Sequence, residues 1–108
     1  MRDKVDILAG FLLTPNALAA SDVSAEAKKF IVIMNAATSV IITKSPYSVR
    51  ASVTLPQVAH TFGVWAATKG GVKKSYTMVT DYGPGHDFER AFIKGFTEKG
   101  GEIVGSVK

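Results

Sequence analysis

The side chains best suited to chemistry lie in one short segment, TDYGPGHD, which spans residues 80–87. Asp81, His86 and Asp87 could be imagined as metal ligands or as an acid–base set. A metal site would need a third strong ligand, such as another histidine at a suitable spacing, and the segment has none. Its Gly83-Pro84-Gly85 stands between a strand-like and a helix-like run, the place where open α/β sheets bind ligands. The segment therefore indicates recognition of a small molecule and no catalysis.

Nucleophilic catalysis is not expected elsewhere in the chain. Ser21, Ser39, Ser45 and Ser52 all lack the G-x-S-x-G context of an activated serine. The chain has no cysteine, which rules out a thiolate nucleophile, a disulfide framework and a cysteine-based metal site. We expect no catalytic residue, no metal and no cofactor.

Strand-like apolar runs alternate with helix-like stretches along the whole chain. Strands are predicted at residues 5–10, 30–34, 75–80 and 103–107, and an alternating run at 47–54. Helices are predicted from Thr14 to Lys29, with Thr14 as cap and a break at Ser21-Asp22, then over 55–69 and after Gly85. The order is β-α-β, a short extended connector, then α-β-α-β. This order predicts an α/β fold, a parallel sheet with helices on both faces.

Two of the predicted helices each carry an apolar face. The helix over 55–69 places Phe62 and Trp65 on its apolar face, and the last helix carries a stripe of Phe88, Phe92 and Phe96. This spacing is typical of a core. We therefore expect Trp65 and the stripe to be buried, and we do not expect them to hold a cofactor.

Four segments, taken in order, resemble the periplasmic solute-binding proteins of ABC transporters, and most closely the Leu/Ile/Val-binding (type I periplasmic binding protein) family. They are RDKVDILAGFLLTPNA, FIVIMNAATS, SPYSVRAS, and the DYGPG loop with GGEIVGSV after it. Members of this family have two α/β lobes, joined by crossover strands, that clamp a ligand in the cleft between them. The resemblance implies that residues 1–48 belong to lobe one, 49–53 to a hinge-like crossover and 54–108 to lobe two.

Family members run to several hundred residues, so the resemblance implies that the chain is an internal fragment. A piece of about 50 residues from either lobe buries too little surface to fold alone. We expect the halves to pack together or to exchange elements with a second copy, which would give a homodimer or a higher oligomer.

The resemblance also implies a ligand site on the loops that follow the first two strands. Thr14 and Asn16 fall on the first loop, and Ala36, Ala37 and Thr38 on the second. A hydroxyl, from Thr38, and backbone N–H groups at helix starts would hold the ligand's carboxylate. The Ala36 carbonyl could accept from a ligand ammonium. From the residues alone, Thr14 and Thr38 read as ordinary helix caps.

Two further residues have both a functional and an ordinary interpretation. Tyr82 matches a place where the family often presents an aromatic ring to the ligand from lobe two, although Pro84 stands where many relatives have a second tyrosine. The ordinary interpretation is a turn built on Gly83, Pro84 and Gly85. Arg50 could pair with a ligand carboxylate, or it could form a structural ion pair.

The resemblance implies the substrate-binding component of an ABC transporter, which acts in the periplasm and delivers its ligand to a permease. The ligand would be a branched-chain amino acid or an aromatic or other small organic acid. The alternative is a small Rossmann-like nucleotide-binding domain or enzyme that uses the Gly83-Pro84-Gly85 turn. A dinucleotide fingerprint needs a third glycine where Phe88 stands, so this alternative rests on a weak match.

Composition sets the outer limits of these expectations. The chain has 108 residues, of which 46% are apolar, enough for the core of one small domain. Its net charge is +4, but the basic residues are scattered and no aromatic residues interleave with them, so we expect no nucleic-acid partner. The charged start MRDKVD does not read as a signal peptide, and no apolar run approaches the ~20 residues of a membrane span.

Overall fold

The computed structural model describes residues 4–108 and divides into two compact units, residues 1–53 and 54–108. Residues 1–3 belong to the segment assigned to lobe one, and to the charged start, and lie outside the described residues. Each unit contains a parallel β-sheet packed with helices, which confirms the α/β class.

The first unit is a three-stranded parallel sheet in the order β1-β2-β3. Its elements are β1 (Ile7–Gly10), α1 (Thr14–Ala27), β2 (Phe30–Ile33), a 3-10 helix (Ser39–Thr43) and β3 (Ser48–Arg50). The central strand β2 buries Ile31 and Ile33 completely, and they form a core with Ala17, Ala36 and Ile41. Ile31 and Ile33 share the buried face of β2, whereas Phe30, on the other face, is 46% exposed.

The predicted break in the first helix is wrong, because α1 is continuous through Ser21. The Ser21 hydroxyl donates to the carbonyl of Ala17 at 2.8 Å, within the helix, and so does not cap a new one. Ser24 likewise bonds inward, to the carbonyl of Lys29 at 2.6 Å and to the Ser45 hydroxyl at 2.9 Å. Both serines are fully buried, and Ser24 ties α1 to the segments at Lys29 and Ser45.

The predicted extended connector is in fact two different elements. Residues 39–43 form the 3-10 helix, which turns Ile41 into the core, and β3 joins the sheet beside β2. The Ile31 N–H donates to the carbonyl of Tyr47 at 3.0 Å, and the Ala51 N–H donates to that of Ile33 at 2.9 Å. Part of the alternating run therefore forms β3, the third parallel strand of this unit.

The second unit has two helices and a two-stranded parallel sheet. Its elements are α2 (Leu55–Ala67), β4 (Lys74–Met78), α3 (Gly83–Thr97) and β5 (Glu102–Val107). A capping box starts α2: the Thr54 hydroxyl accepts from the Gln57 N–H, and the Gln57 side chain accepts from the Thr54 N–H.

Helices α2 and α3 approach each other at glycines. A Cβ on Gly63 would collide with the carbonyl of Phe92, and a Cβ on Gly95 would collide with the carbonyl of His60. The two backbones can touch only because both positions lack a side chain. A hydrogen bond between His60 Nε2 and Glu98 Oε2, 3.1 Å long, lies beside this crossing.

The prediction that Trp65 is a core residue is wrong, since its side chain is 52% exposed. The buried face of α2 consists of Ala59, Gly63, Ala66 and Ala67, because α3 lies too close to admit a large ring. Trp65 instead stacks against Phe62 at a ring distance of 6.1 Å.

The predicted phenylalanine stripe of α3 does face the core. Phe96 is fully buried, Phe92 nearly so, and Phe88 is partly buried against the same cluster. Within residues 4–108, no helix is long and apolar enough to cross a membrane.

Candidate functional site

The carboxyl ends of β1, β2 and β3 meet at one edge of the first unit, because all three strands are parallel. Thr14 follows β1, residues 36–38 follow β2, and Arg50 is the last residue of β3. This edge is where open parallel sheets bind ligands, and it collects five of the six predicted ligand residues.

Thr14 and Thr38 are joined by a hydrogen bond between their hydroxyl oxygens, which lie 2.7 Å apart. Both side chains are buried. The cap interpretation is wrong for Thr14, because Leu13 is the N-cap of α1. Thr38 is the N-cap residue of the 3-10 helix, but its side chain makes no cap bond. Thr14 is the first residue of α1, and its hydroxyl points inward to the loop after β2.

One hydroxyl of this pair can still donate a hydrogen bond to another group. Each threonine hydroxyl has one donor and two acceptor positions, so whichever of the two accepts keeps its own O–H for another acceptor. A ligand carboxylate is such an acceptor. The pair thus presents one positioned O–H donor at the end of the sheet.

The loops after β1 and β2 are tied to each other by further hydrogen bonds. The Ala36 N–H donates to the carbonyl of Phe11 at 2.9 Å, and the Asn35 side chain donates to that of Leu12 at 3.1 Å. Phe11 has a left-handed φ of 71°, a conformation that non-glycine residues rarely adopt. Such backbone strain is concentrated at functional sites, and no feature of the sequence predicted it.

Arg50, the last residue of β3, hydrogen-bonds the loop that follows β2. Its Nη2 donates to the carbonyl of Thr38 at 2.6 Å, and its Nη1 donates to that of Ala37 at 3.4 Å. The guanidinium therefore fixes the backbone that carries Ala36, Ala37 and Thr38. It also places a permanent positive charge beside them, which favours an anionic ligand.

Asn16 lies exposed in the first turn of α1. The N–H groups of a first helical turn have no partner within the helix, and the helix dipole makes this end positive. Pro15 has no N–H to offer, so the donors of this turn come from Thr14 and Asn16. No acidic residue in the turn offsets its positive end.

Tyr82 belongs to the second unit, where it is the N-cap of α3. Its backbone is extended, its N–H donates to the carbonyl of Thr80 at 2.8 Å, and its carbonyl accepts from the His86 N–H at 3.1 Å. Gly83, Pro84 and Gly85 form the first turn of α3, although the sequence predicted a turn before the helix. A Cβ on Gly85 would collide with the carbonyl of Thr80, so packing alone requires this glycine.

His86 and Asp81, both in the segment considered for a metal, contact each other through their side chains. His86 Nε2 lies 2.9 Å from Asp81 Oδ1. In the described part of the chain, no group of three or more His, Cys, Asp or Glu side chains is arranged to hold a metal ion.

Glu89 is a buried carboxylate that no sequence motif singled out. It is only 7% exposed and accepts a hydrogen bond from the Thr77 hydroxyl at 2.6 Å. The hydrogen bonds from Thr77, first, and from Ser106 hold the pKa of Glu89 below its ordinary value, and Lys108, 3.8 Å away, adds to the effect. The only feature of the sequence that indicated its burial was its position on the apolar face of α3, at helical spacing from Phe92 and Phe96.

A family model described as "Periplasmic binding protein" matches residues 1–108, the whole chain. A Leu/Ile/Val-binding protein homolog 6 from Brucella abortus is 45% identical over 108 residues, which cover 100% of this chain and 27% of the relative. The chain thus spans about a quarter of the length of the curated relatives it matches.

Solved structures from Rhodopseudomonas palustris have the same fold as the whole chain. A solute-binding protein of an ABC transporter from strain BisB5, in complex with 3,4-dihydroxybenzoic acid, is 47% identical with a TM-score of 0.94, over 100% of this chain and 30% of its own. One from strain HaA2, in complex with p-hydroxybenzoic acid, is 45% identical with a TM-score of 0.93, over 100% and 29%. A third, in complex with benzoate, is 27% identical with a TM-score of 0.90, over 99% and 30%.

Proposed function

The chain belongs to the periplasmic binding protein family, and we propose that it forms part of the solute-binding component of an ABC transporter for small carboxylates. The observation that carries this proposal is the hydroxyl pair of Thr14 and Thr38 at the carboxyl end of the parallel sheet. The pair offers an O–H donor, the first turn of α1 offers N–H donors, and Arg50 adds a positive charge. Together these groups are suited to a carboxylate.

The ligand we propose is an aromatic carboxylate such as a hydroxybenzoate. The two structural relatives described above with more than 40% identity were solved with hydroxylated benzoic acids, and a more distant one was solved with benzoate. A branched-chain amino acid is the second candidate, favoured by the name of the 45% identical relatives.

Each predicted site residue has a role in this proposal. Backbone N–H groups near Thr14, Asn16 and Ala37 bind one carboxylate oxygen, and the Thr38 hydroxyl binds the other. If the ligand is an amino acid, the Ala36 carbonyl accepts from its ammonium. Tyr82 presents its half-exposed ring to the ligand's apolar part from the second unit.

We propose recognition without catalysis. A ligand that contacts both lobes binds the closed state more tightly and so shifts the protein toward it, and a permease reads that closed state. No bond is made or broken in this cycle. In this scheme residues 1–48 contribute to lobe one, 49–53 to the crossover and 54–108 to lobe two. The protein acts in the periplasm and associates as a homodimer or higher oligomer.

Thermal shift and isothermal titration with 4-hydroxybenzoate, benzoate, leucine and ATP test this function. The proposal predicts that the two aromatic carboxylates bind. Thr38→Val should lower their affinity about tenfold, because it removes the hydroxyl at nearly constant side-chain volume. Thr43→Val is the matched control, since the Thr43 hydroxyl bonds only locally, to the carbonyl of Val40. Binding of ATP alone would favour a nucleotide-binding domain instead.

A further inference from the structure

Three successive carbonyls at the end of β1 and just after it all accept hydrogen bonds from the loop that follows β2. Residues 10, 11 and 12 accept, in that order, from the Met34 N–H at 2.8 Å, the Ala36 N–H at 2.9 Å and the Asn35 side-chain amide at 3.1 Å. In an extended strand, successive carbonyls point in opposite directions, so they cannot all face one neighbour. The backbone must therefore leave the extended conformation between Gly10 and Leu12.

A left-handed backbone at Phe11 makes this turn possible. Its φ is 71°, and Gly10 before it has a φ of 124°. Glycine adopts a positive φ readily, but for a bulky side chain such as that of phenylalanine this conformation is an outlier that costs free energy. It persists only where the surrounding structure holds it in place.

The hydrogen bond from Asn35 differs from the other two because it depends on the identity of a side chain. Most residues at positions 34 and 36 would supply a backbone N–H, whereas the bond to Leu12 needs a side-chain donor at position 35. The bond is exposed, so burial does not require either group to find a protein partner. Its location beside the strained residue indicates a role in fixing the backbone.

The segment between Phe11 and Thr14 leads directly into the candidate carboxylate site. Thr14 is the first residue of α1, and its hydroxyl lies 2.7 Å from that of Thr38. The segment is thus tied to the loop after β2 by Asn35 near the strained residue and by Thr38 at the start of the helix. A change of φ at Phe11 would redirect the chain that follows it, and so displace the Thr14 hydroxyl and the first-turn N–H groups together.

We propose that Asn35 is a positioning residue of the carboxylate site. Its hydrogen bond to the Leu12 carbonyl holds Phe11 in the left-handed conformation, and this conformation sets where α1 begins relative to Thr38. Asn35 does not itself touch the ligand. When the bond is lost, Phe11 relaxes to a negative φ in part of the molecules, and only the remainder binds the ligand. The inference rests on the proposed function, because the position of α1 acts on the affinity for a carboxylate.

A double-mutant cycle between Asn35 and Phe11 separates positioning from direct contact with the ligand. Asn35→Ala removes the bond and should lower the affinity for 4-hydroxybenzoate about fivefold, measured by isothermal titration. In a Phe11→Gly background the same substitution should cost about twofold or less, because glycine accepts a positive φ without the bond. The ring that Phe11→Gly removes is missing from both members of that comparison. Equal losses in the two backgrounds, as direct contact with the ligand would give, would overturn the proposal.

Met34→Ala is the matched control for Asn35→Ala. Met34 precedes Asn35, its side chain is 59% exposed, and the substitution keeps the backbone N–H that bonds Gly10. It should leave the affinity unchanged. A loss in Met34→Ala as large as that in Asn35→Ala would point to a general disturbance of the loop and would count against a specific role for the amide.

NMR of the ligand-free chain keeps this inference separate from the proposed function. The one-bond Cα–Hα coupling of Phe11 reports the sign of φ, and in Asn35→Ala it should change toward its value at negative φ, together with a shift of the Thr14 amide. An unchanged coupling would overturn the inference whatever the ligand. A parent chain that does not bind 4-hydroxybenzoate would contradict the proposed function instead, while the coupling would still decide whether Asn35 holds Phe11.

Discussion

The hydroxyl oxygens of Thr14 and Thr38 lie 2.7 Å apart, although 24 residues separate them in the chain. One follows β1 and the other follows β2, so the bond joins the two loops that the parallel sheet brings to one edge. It is both a structural contact within the first unit and the centre of the proposed carboxylate site.

The bond between Thr14 and Thr38 should show coupling in a double-mutant cycle. Thr14→Val or Thr38→Val alone leaves a buried hydroxyl without its partner, so each should lower the stability of the first unit by about 1–3 kcal/mol. The double variant buries two methyl groups in contact and should cost less than the sum. Hydrogen exchange at the buried amides of Ile31 and Ile33 measures this stability. Additive effects would show that the two hydroxyls do not depend on each other.

Arg50 should act on the ligand site through the backbone of the second loop. Arg50→Met removes two hydrogen bonds and the charge, whereas Arg50→Lys keeps the charge but cannot bond both carbonyls. We expect faster amide exchange at residues 36–38 in both variants. Affinity for 4-hydroxybenzoate should fall about tenfold in Arg50→Met, or ~1.4 kcal/mol, and by less in Arg50→Lys. Equal losses would mean that the charge has no part in binding.

The helix crossing in the second unit should tolerate no side chain at its glycines. Gly63→Ala or Gly95→Ala would force the backbones of α2 and α3 apart and should cost about 1–3 kcal/mol. Gly83→Ala is the control, because it lies in α3 with open space around it, and it should be neutral or slightly stabilising. Trp65 is the only tryptophan, so its fluorescence during urea unfolding reports on this unit alone.

Glu89 should make the second unit sensitive to acid. Its pKa is held below the ordinary value of 4.5, chiefly by the Thr77 hydroxyl, so the ionised carboxylate stabilises the folded state. This contribution is complete above about pH 4.5 and is lost as the pH falls through the lower, folded-state pKa. Urea unfolding followed by Trp65 fluorescence from about pH 3 to 6 measures it.

Glu89→Gln should remove this part of the pH dependence while conserving shape. Glu26→Gln, an exposed carboxylate of the first unit, should leave the Trp65-detected curve unchanged. If Glu89→Gln keeps the full acid sensitivity of the parent chain, another group is responsible.

The strands and helices were predictable where a single pattern dominated the sequence. The continuous apolar run of β2 and the phenylalanine stripe of α3 each reflect burial against many neighbours, so their patterns survive in the sequence. Trp65 was misplaced because helical spacing shows that residues share a face, but not how close the neighbouring helix lies. That closeness depends on Gly63 and Gly95. They lie far apart in the sequence, so no local pattern shows that they come into contact.

The site was predictable only by position. Parallel strands bring the loops after β1 and β2 together, so the order of strands and helices is enough to place Thr14 and Thr38 at one edge of the sheet. No local pattern encodes the tertiary geometry behind three other features of the site. These are the hydrogen bond between the two threonines, the left-handed backbone of Phe11, and the hydrogen bond from Arg50 to the loop after β2.

The most direct test of the account is an NMR titration of the ¹⁵N-labelled chain with 4-hydroxybenzoate. Chemical shifts locate a ligand even when binding is weak, because each amide reports separately. The account predicts saturable shifts at the amides of Thr14, Asn16, Ala37 and Thr38, and their loss in Thr38→Val. Shifts confined to residues outside the loops after β1 and β2, or no shifts at millimolar ligand, would contradict it.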